Sequence, residues 1–331
     1  SRKLKNIQAD IKSGNFKQVY LLYGEEAYLK QQYKQNLVKA LNPDGDTMNF
    51  NHYEGKGIDV KQLIDLCETM PFFAERRVVL LEDTGFFKNK CEELADYMKE
   101  LPDYLYLVFA ETEVDKRNRM YKAVKACGSI AEFIRQDEKT LMRWAAGILG
   151  KAGKKITQRD MELLLTKTGT DMGNLRMEME KLISYTEGRD VVTAEDIEEI
   201  CTTQTTNRIF DMVRAVTEKN QKRALELYYD LLTLKEPPMR ILFLLAKQYR
   251  QLLLAKQFAA AGLAQTEIAS KLGVPGFVVR NITTCARAYT ISELEQAVKD
   301  FVDAEESVKT GRLEDKLSVE LLIIKIGRAH V

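Results

Sequence analysis

Gly24 and Lys30 follow directly on the apolar run Val19-Tyr20-Leu21-Leu22-Tyr23, with Gln31 next in the chain. Their spacing is that of the first glycine and the lysine in G-x-x-x-x-G-K-[ST], the loop whose backbone N–H groups cradle nucleotide phosphates. The remaining requirements fail. Leu29 stands at the second glycine, where a side chain crowds the backbone's approach to a phosphate. Gln31 stands where Ser or Thr should hold magnesium. Glu25 and Glu26 place negative charge where the phosphates would lie, and an anion cradle should avoid that. Leu80-Leu81-Glu82-Asp83 has the form of the second nucleotide motif, but a strand ending in acidic residues is common. Two readings stand: an ordinary strand–turn–helix with a chance lysine, or a nucleotide-binding core that has decayed. Both predict no tight ATP binding and no cofactor.

A second group of residues suits recognition rather than catalysis. Met70-Pro71-Phe72-Phe73-Ala74-Glu75-Arg76-Arg77 lies between a helical stripe (Val60, Leu63, Ile64, Cys67, Met70) and the apolar run Val78-Val79-Leu80-Leu81. Continued as helix at about 100° per residue, Phe72 and Phe73 would point away from the face of that stripe. Pro71 disfavours helix at Met70 and ends it there. Two adjacent rings at such a junction either anchor in a partner's pocket or plug the end of a sheet.

A third group, residues 263–290, has the spacing of a helix-turn-helix. Gly273 sits at the turn, with Ile268, Leu272 and Val278 as its core. A recognition helix needs several groups able to reach bases or phosphates. Beyond the turn there are only Arg280, Asn281 and Arg287, with Thr283 and Thr284. The segment reads either as a packed helical corner or as a DNA-binding regulator.

Other chemistry is thinly supplied. The chain has two histidines, His52 and His330, and five cysteines with no C-x-x-C pair. That excludes a His-rich metal site and argues against zinc, a disulfide framework or a His-based triad; it fits a reducing cytoplasm. His52 is expected on the surface of the strand-like stretch 48–53, with a lone general base as the alternative. The net charge of +1 demands no nucleic acid, and the last third is only mildly basic. No apolar run is long enough to cross a membrane. The chain starts Ser1-Arg2-Lys3-Leu4, without Met or the features of a signal peptide. The tail 327–331 breaks the preceding pattern, so both native ends are left open.

These groups need elements to hold them. At 331 residues, two or three domains are expected. Residues 1–136 alternate strands (19–23, 78–81, 105–109 and 130–133) with helices, and Asn42-Pro43-Asp44-Gly45 is a turn. Continuous apolar strands imply a parallel sheet covered on both faces. Residues 137–205 read as a small domain of three or four helices, two of them starting at Thr157-x-x-Asp160 and Thr193-x-x-Asp196. Residues 206–331 read as a helical bundle with amphipathic stretches at 208–219, 221–234, 238–260, 292–309 and 315–326.

Several stretches, in order and spacing, resemble the delta subunit family of the bacterial DNA polymerase III clamp loader. They are Tyr20-Leu21-Leu22-Tyr23-Gly24-Glu25-Glu26, the 70–77 segment, Gly173-Asn174-Leu175-Arg176-Met177-Glu178-Met179-Glu180-Lys181-Leu182, and Ile209-Phe210-Asp211. Further along stand Ala246-Lys247-Gln248-Tyr249-Arg250-Gln251-Leu252-Leu253, the corner at 267–274 and Asp303-Ala304-Glu305-Glu306-Ser307-Val308-Lys309-Thr310-Gly311. The resemblance spans nearly the whole chain. It implies an AAA+-like α/β parallel-sheet domain that binds the clamp, a three-helix lid and an all-α collar that mediates oligomerisation.

In that family the subunit is a non-catalytic part of the DNA-directed DNA polymerase III holoenzyme. It binds and opens the sliding clamp (the beta subunit) during DNA replication without an ATPase site of its own. The collar holds it beside the ATPase subunits and the delta-prime subunit, and primed DNA is met through the assembled complex. An apolar pair at a helix tip enters the clamp; Phe72 and Phe73 occupy that position here, flanked by Met70 and Pro71. Gly24, Leu29, Lys30 and Gln31 become a degenerate P-loop, which the family typically shows. No Ser-Arg-Cys motif appears, as suits a member that supplies no arginine finger.

Overall fold

The computed structural model describes residues 2–203 and 205–328. Contacts divide the chain into two compact units, Ser1–Gln136 and Asp137–Val331. The first opens with α1 (Arg2–Ser13) and then alternates β1 (Val19–Tyr23), α2 (Ala27–Leu41), β2 (Phe50–Glu54), α3 (Val60–Glu68) and β3 (Arg77–Glu82). It continues through α4 (Glu92–Tyr97), β4 (Leu105–Glu111), α5 (Arg119–Cys127) and β5 (Ser129–Glu132). The five strands form one sheet in the order β2-β3-β4-β1-β5, and every pairing is parallel.

Helices on both faces explain why the central strands β1, β3 and β4 are largely apolar, with β1 buried at all five positions, whereas the edge strand β2 is polar and partly exposed. Alternate side chains enter opposite cores. Val19, Leu21 and Tyr23 join Val79, Leu81, Leu107 and Phe109 on the side of α3, α4 and α5. Tyr20 and Leu22 join Val78, Leu80 and Val108 on the side of α1 and α2. The 42–45 turn forms as its composition predicts, with Gly45 at φ +67° and the Asn42 side chain bonded to both main-chain groups of Asp46.

The second unit begins with α6 (Glu138–Lys151), β6 (Lys155–Ile156), α7 (Gln158–Thr168), α8 (Met172–Tyr185), β7 (Val191–Val192) and α9 (Ala194–Ile200). Thr157 and Thr193 cap α7 and α9, the latter in a reciprocal capping box with Asp196. β6 and β7 pair in parallel, which a purely helical reading of this stretch misses. Two-residue strands are too short to show a period.

Among the described residues seven helices follow: α10 (Thr205–Thr217), α11 (Gln221–Thr233), α12 (Pro238–Ala260), α13 (Gln265–Leu272), α14 (Gly276–Ala286), α15 (Ile291–Lys309) and α16 (Asp315–Arg328). Their core includes Tyr228, Tyr249 and Phe301. Ile326 is buried in the same core, and α16 runs on to Arg328, two residues into the 327–331 tail. The rest of the tail, residues 329–331, lies outside the described residues, as does Ser1.

Candidate functional site

In open α/β sheets ligands bind outside the carboxyl ends of the strands. Here that edge is occupied by the protein's own groups. Gly24 has φ +124°, and a Cβ on it would lie 2.3 Å from the Phe133 carbonyl oxygen, so only glycine fits. The Phe133 N–H donates to the Tyr23 carbonyl at 2.7 Å, and its carbonyl accepts from the Glu26 N–H at 3.0 Å. Lys30 Nζ donates to the Glu111 carbonyl at 3.0 Å and to Thr112 Oγ1 at 3.4 Å. Burial holds its pKa below the usual lysine value. Leu29 packs on the α2 side of the sheet, and Gln31 is exposed.

The acidic ends of β3 and β4 are engaged as well. Glu82 accepts from the Lys34 ammonium at 2.6 Å, and its other oxygen lies 2.9 Å from His52 Nε2. Asp83 accepts the Thr112 N–H at 2.9 Å. Glu111 is buried and accepts from the hydroxyl and N–H of Thr84 at 2.6 and 3.1 Å. Burial pushes its carboxyl above the usual glutamate range, against the pull of those donors. The lysine placed to meet a phosphate is held by main chain, and no hydroxyl stands at position 31 to ligate magnesium.

The 70–77 segment forms a braced loop at the opposite, amino end of β3. α3 stops at Glu68 with Thr69 as its cap, two residues short of the predicted stripe. Met70 therefore leaves the core face and is 74% exposed. Pro71 restricts Met70, and the free carbonyls at the helix end find another partner. That partner is Arg77, buried at the start of β3. Its Nε donates to the Thr69 carbonyl at 2.8 Å and its Nη2 to the Met70 carbonyl at 3.3 Å, while Nη1 reaches Asn51 Oδ1 at 3.2 Å. A cation there also complements the helix dipole. Arg76 lies 5.2 Å from the centroid of the Phe16 ring and 5.4 Å from that of Tyr106.

Between these braces Phe72 is 57% exposed and Phe73 95% exposed. Their rings meet edge to face at 4.4 Å. Phe73 has φ +50°, a left-handed conformation uncommon for a bulky residue. Pro71 is half-buried. The buried Asn49 side chain bonds to both the N–H and the carbonyl of Phe72. Neither Asn49 nor the brace role of Arg77 was read from the sequence. The available signal was a cation opening an otherwise apolar strand, Arg77 before Val78-Val79-Leu80-Leu81.

The helix-turn-helix spacing resolves into a protein-packed corner. Gly273 is left-handed at φ +65°, capping α13. Ile268 is buried and Leu272 half-buried, but Val279 rather than Val278 is fully buried. The helix begins only at Gly276, after Pro275, and this sets its phase. In its first turn Phe277 enters the core of α6–α9, and its N–H donates to Glu138 Oε2 at 3.3 Å. Arg280 lies 3.7 Å from Glu162, and the hydroxyls of Thr283 and Thr284 donate to carbonyls of their own helix. The turn that would meet base edges meets protein.

Among the described residues no three His, Cys, Asp or Glu side chains cluster as a metal site. No helix among them is long and apolar enough to cross a membrane.

A parallel sheet in the order 5-1-4-3-2, with the phosphate-loop position after its first strand and a mostly helical unit following in the chain, defines a protein of AAA+-like fold. Residues 20–133 match the family model "DNA polymerase III, delta subunit", and residues 206–326 match "DNA polymerase III delta subunit, C-terminal domain". Together the two cover more than two thirds of the chain, which belongs to the DNA polymerase III delta subunit family. The chain is 26% identical to DNA polymerase III subunit delta of Bacillus subtilis, over 97% of its own length and 96% of that protein's. It is 22% identical to a probable DNA polymerase III subunit delta of Aquifex aeolicus, over 77% and 75% of the two lengths. The solved structure of the Bacillus subtilis DNA clamp loader delta protein shares the fold, with a TM-score of 0.67 at 24% identity, covering 98% of this chain and 99% of that one.

Proposed function

We propose that this chain binds and opens the sliding clamp in DNA replication, using Phe72 and Phe73 as its anchor and no ATPase site of its own. The observation that carries this reading is the pair of rings held clear of the first unit's core, with Met70 exposed beside them. Exposed aromatic pairs on an ordered loop are the kind of anchor that dominates binding energy. The 1–136 domain then contacts the clamp, 137–205 serves as the lid, and 206–331 is the collar that joins the ATPase subunits and delta-prime. Primed DNA is met through the assembled complex, in the cytoplasm.

The clamp is a closed ring whose interface resists opening. A partner that binds the open form more tightly shifts the equilibrium by its differential affinity alone. Filled positions at Gly24, Leu29 and Lys30, with Gln31 in place of a magnesium-binding hydroxyl, suit a subunit that leaves nucleotide to its neighbours. The test is retention of the sliding clamp by wild type and by F72A/F73A, together with the rate of clamp removal from circular DNA. Wild type should retain the clamp and speed its removal, and the double variant should do neither. Equal retention by both proteins would remove the anchor role.

A further inference from the structure

Asn49 is 3% exposed, yet no core demands an amide there. Its carboxamide is fully engaged. Oδ1 accepts the Phe72 N–H at 2.6 Å, and Nδ2 donates to the Phe72 carbonyl at 2.9 Å and to Asp46 Oδ2 at 2.5 Å. One side chain thus takes both main-chain polar groups of one residue, as a neighbouring strand would. Asp46 in turn accepts the Met48 N–H at 2.7 Å through Oδ1, and its own main chain is held by Asn42 at 2.9 Å. A relay therefore runs from the 42–45 turn through Asp46 and Asn49 to Phe72.

What this relay holds contributes little to the core. Phe72 and Phe73 are exposed, and Phe73 sits in a left-handed conformation that costs free energy and persists only where neighbours impose it. Arg77 closes the other end of the loop through Thr69 and Met70 and does not reach Phe72.

We propose that Asn49 is the positioning residue for the ring pair. By fixing the peptides on both sides of Phe72 it keeps Phe73 left-handed and presents both rings already ordered. Binding then proceeds without the entropic cost of ordering the loop. The inference rests on the reading of Phe72 and Phe73 as the clamp anchor.

The experiment uses the full chain. Clamp affinity is measured for wild type, N49A, F72A/F73A and the triple variant, with amide hydrogen exchange followed at Phe72. N49A should speed exchange at Phe72 and weaken clamp binding about tenfold, equivalent to about 1.4 kcal/mol. In titrations at clamp concentrations high enough to measure the weakened F72A/F73A complex, which retention does not detect, it should add nothing in that background, because it acts only through the rings. N49D keeps the acceptor for the Phe72 N–H but sets a second carboxylate against Asp46, with the Arg77 guanidinium as the nearby cation. Its deficit relative to wild type should shrink from pH 8 to pH 5, as the paired carboxylates come to share a proton. Should N49A lose its cooperative unfolding transition, the pH profile of N49D decides. Wild-type affinity in N49A, an undiminished further loss in the triple variant, or a pH-independent N49D deficit would each overturn the proposal. If F72A/F73A itself binds the clamp as wild type does, the anchor reading fails, and that variant alone reveals it.

Discussion

Lys30 Nζ lies 3.0 Å from the carbonyl oxygen of Glu111, a residue 81 positions further along the chain. The lysine of a phosphate loop points into a cradle of N–H groups; this one bridges the ends of α2 and β4. Lys30→Met should therefore cost stability and leave nucleotide behaviour unchanged. Loss of a charged hydrogen bond predicts roughly 1–2 kcal/mol in chemical denaturation. Titration calorimetry at micromolar ATP should give no binding isotherm for either protein.

The ring pair and the backbone under it separate binding from stability. Phe73 is 95% exposed at φ +50°. Phe73→Gly removes the ring and relieves a left-handed conformation that disfavours side chains. Its unfolding midpoint should match or exceed that of wild type, while clamp affinity falls by roughly 2–4 kcal/mol. A midpoint lowered along with the affinity would show that the ring supports the fold.

Glu111 makes stability depend on pH with a defined sign. Burial raises its folded-state pKa above the ordinary value of 4.5. A raised folded pKa means that the native state holds the proton more tightly. The resulting stabilisation is complete below the unfolded pKa and is lost as pH rises through the folded one. Glu111→Gln, which does not titrate, should thus gain stability relative to wild type between pH 4 and pH 7. Urea midpoints of both proteins at the two pH values check this, and a constant difference would contradict it.

Phe277 distinguishes a packed corner from a DNA reader. Its side chain is 6% exposed, within the core of α6–α9. Phe277→Ala should destabilise the second unit by about 3–5 kcal/mol. Gel shifts with the full chain should show no sequence-specific DNA binding in wild type.

Periodicity and residue type alone carry much of this protein. Apolar runs bounded by turn residues at 19–23, 78–81 and 105–109 are β1, β3 and β4, and the hydroxyl–carboxylate pairs at Thr157 and Thr193 start α7 and α9. These features are local: burial on both sheet faces and the open N–H groups at a helix start leave their mark within a few residues. The missing second glycine at Leu29 is equally local.

The tertiary structure decided what meets what. Asn49 reaches Phe72 across 23 positions because parallel pairing of β2 with β3 sets Phe50 opposite Val78, and no period of 2 or 3.6 encodes which strands become neighbours. Met70 leaves its stripe because α3 stops at Glu68 and Arg77 holds the Thr69 and Met70 carbonyls beyond it, and Val279 replaces Val278 in the corner because the helix starts at Gly276. Hydrogen bonds between distant residues depend on the order in which crossovers lay strands side by side, and that order is a property of the packed chain.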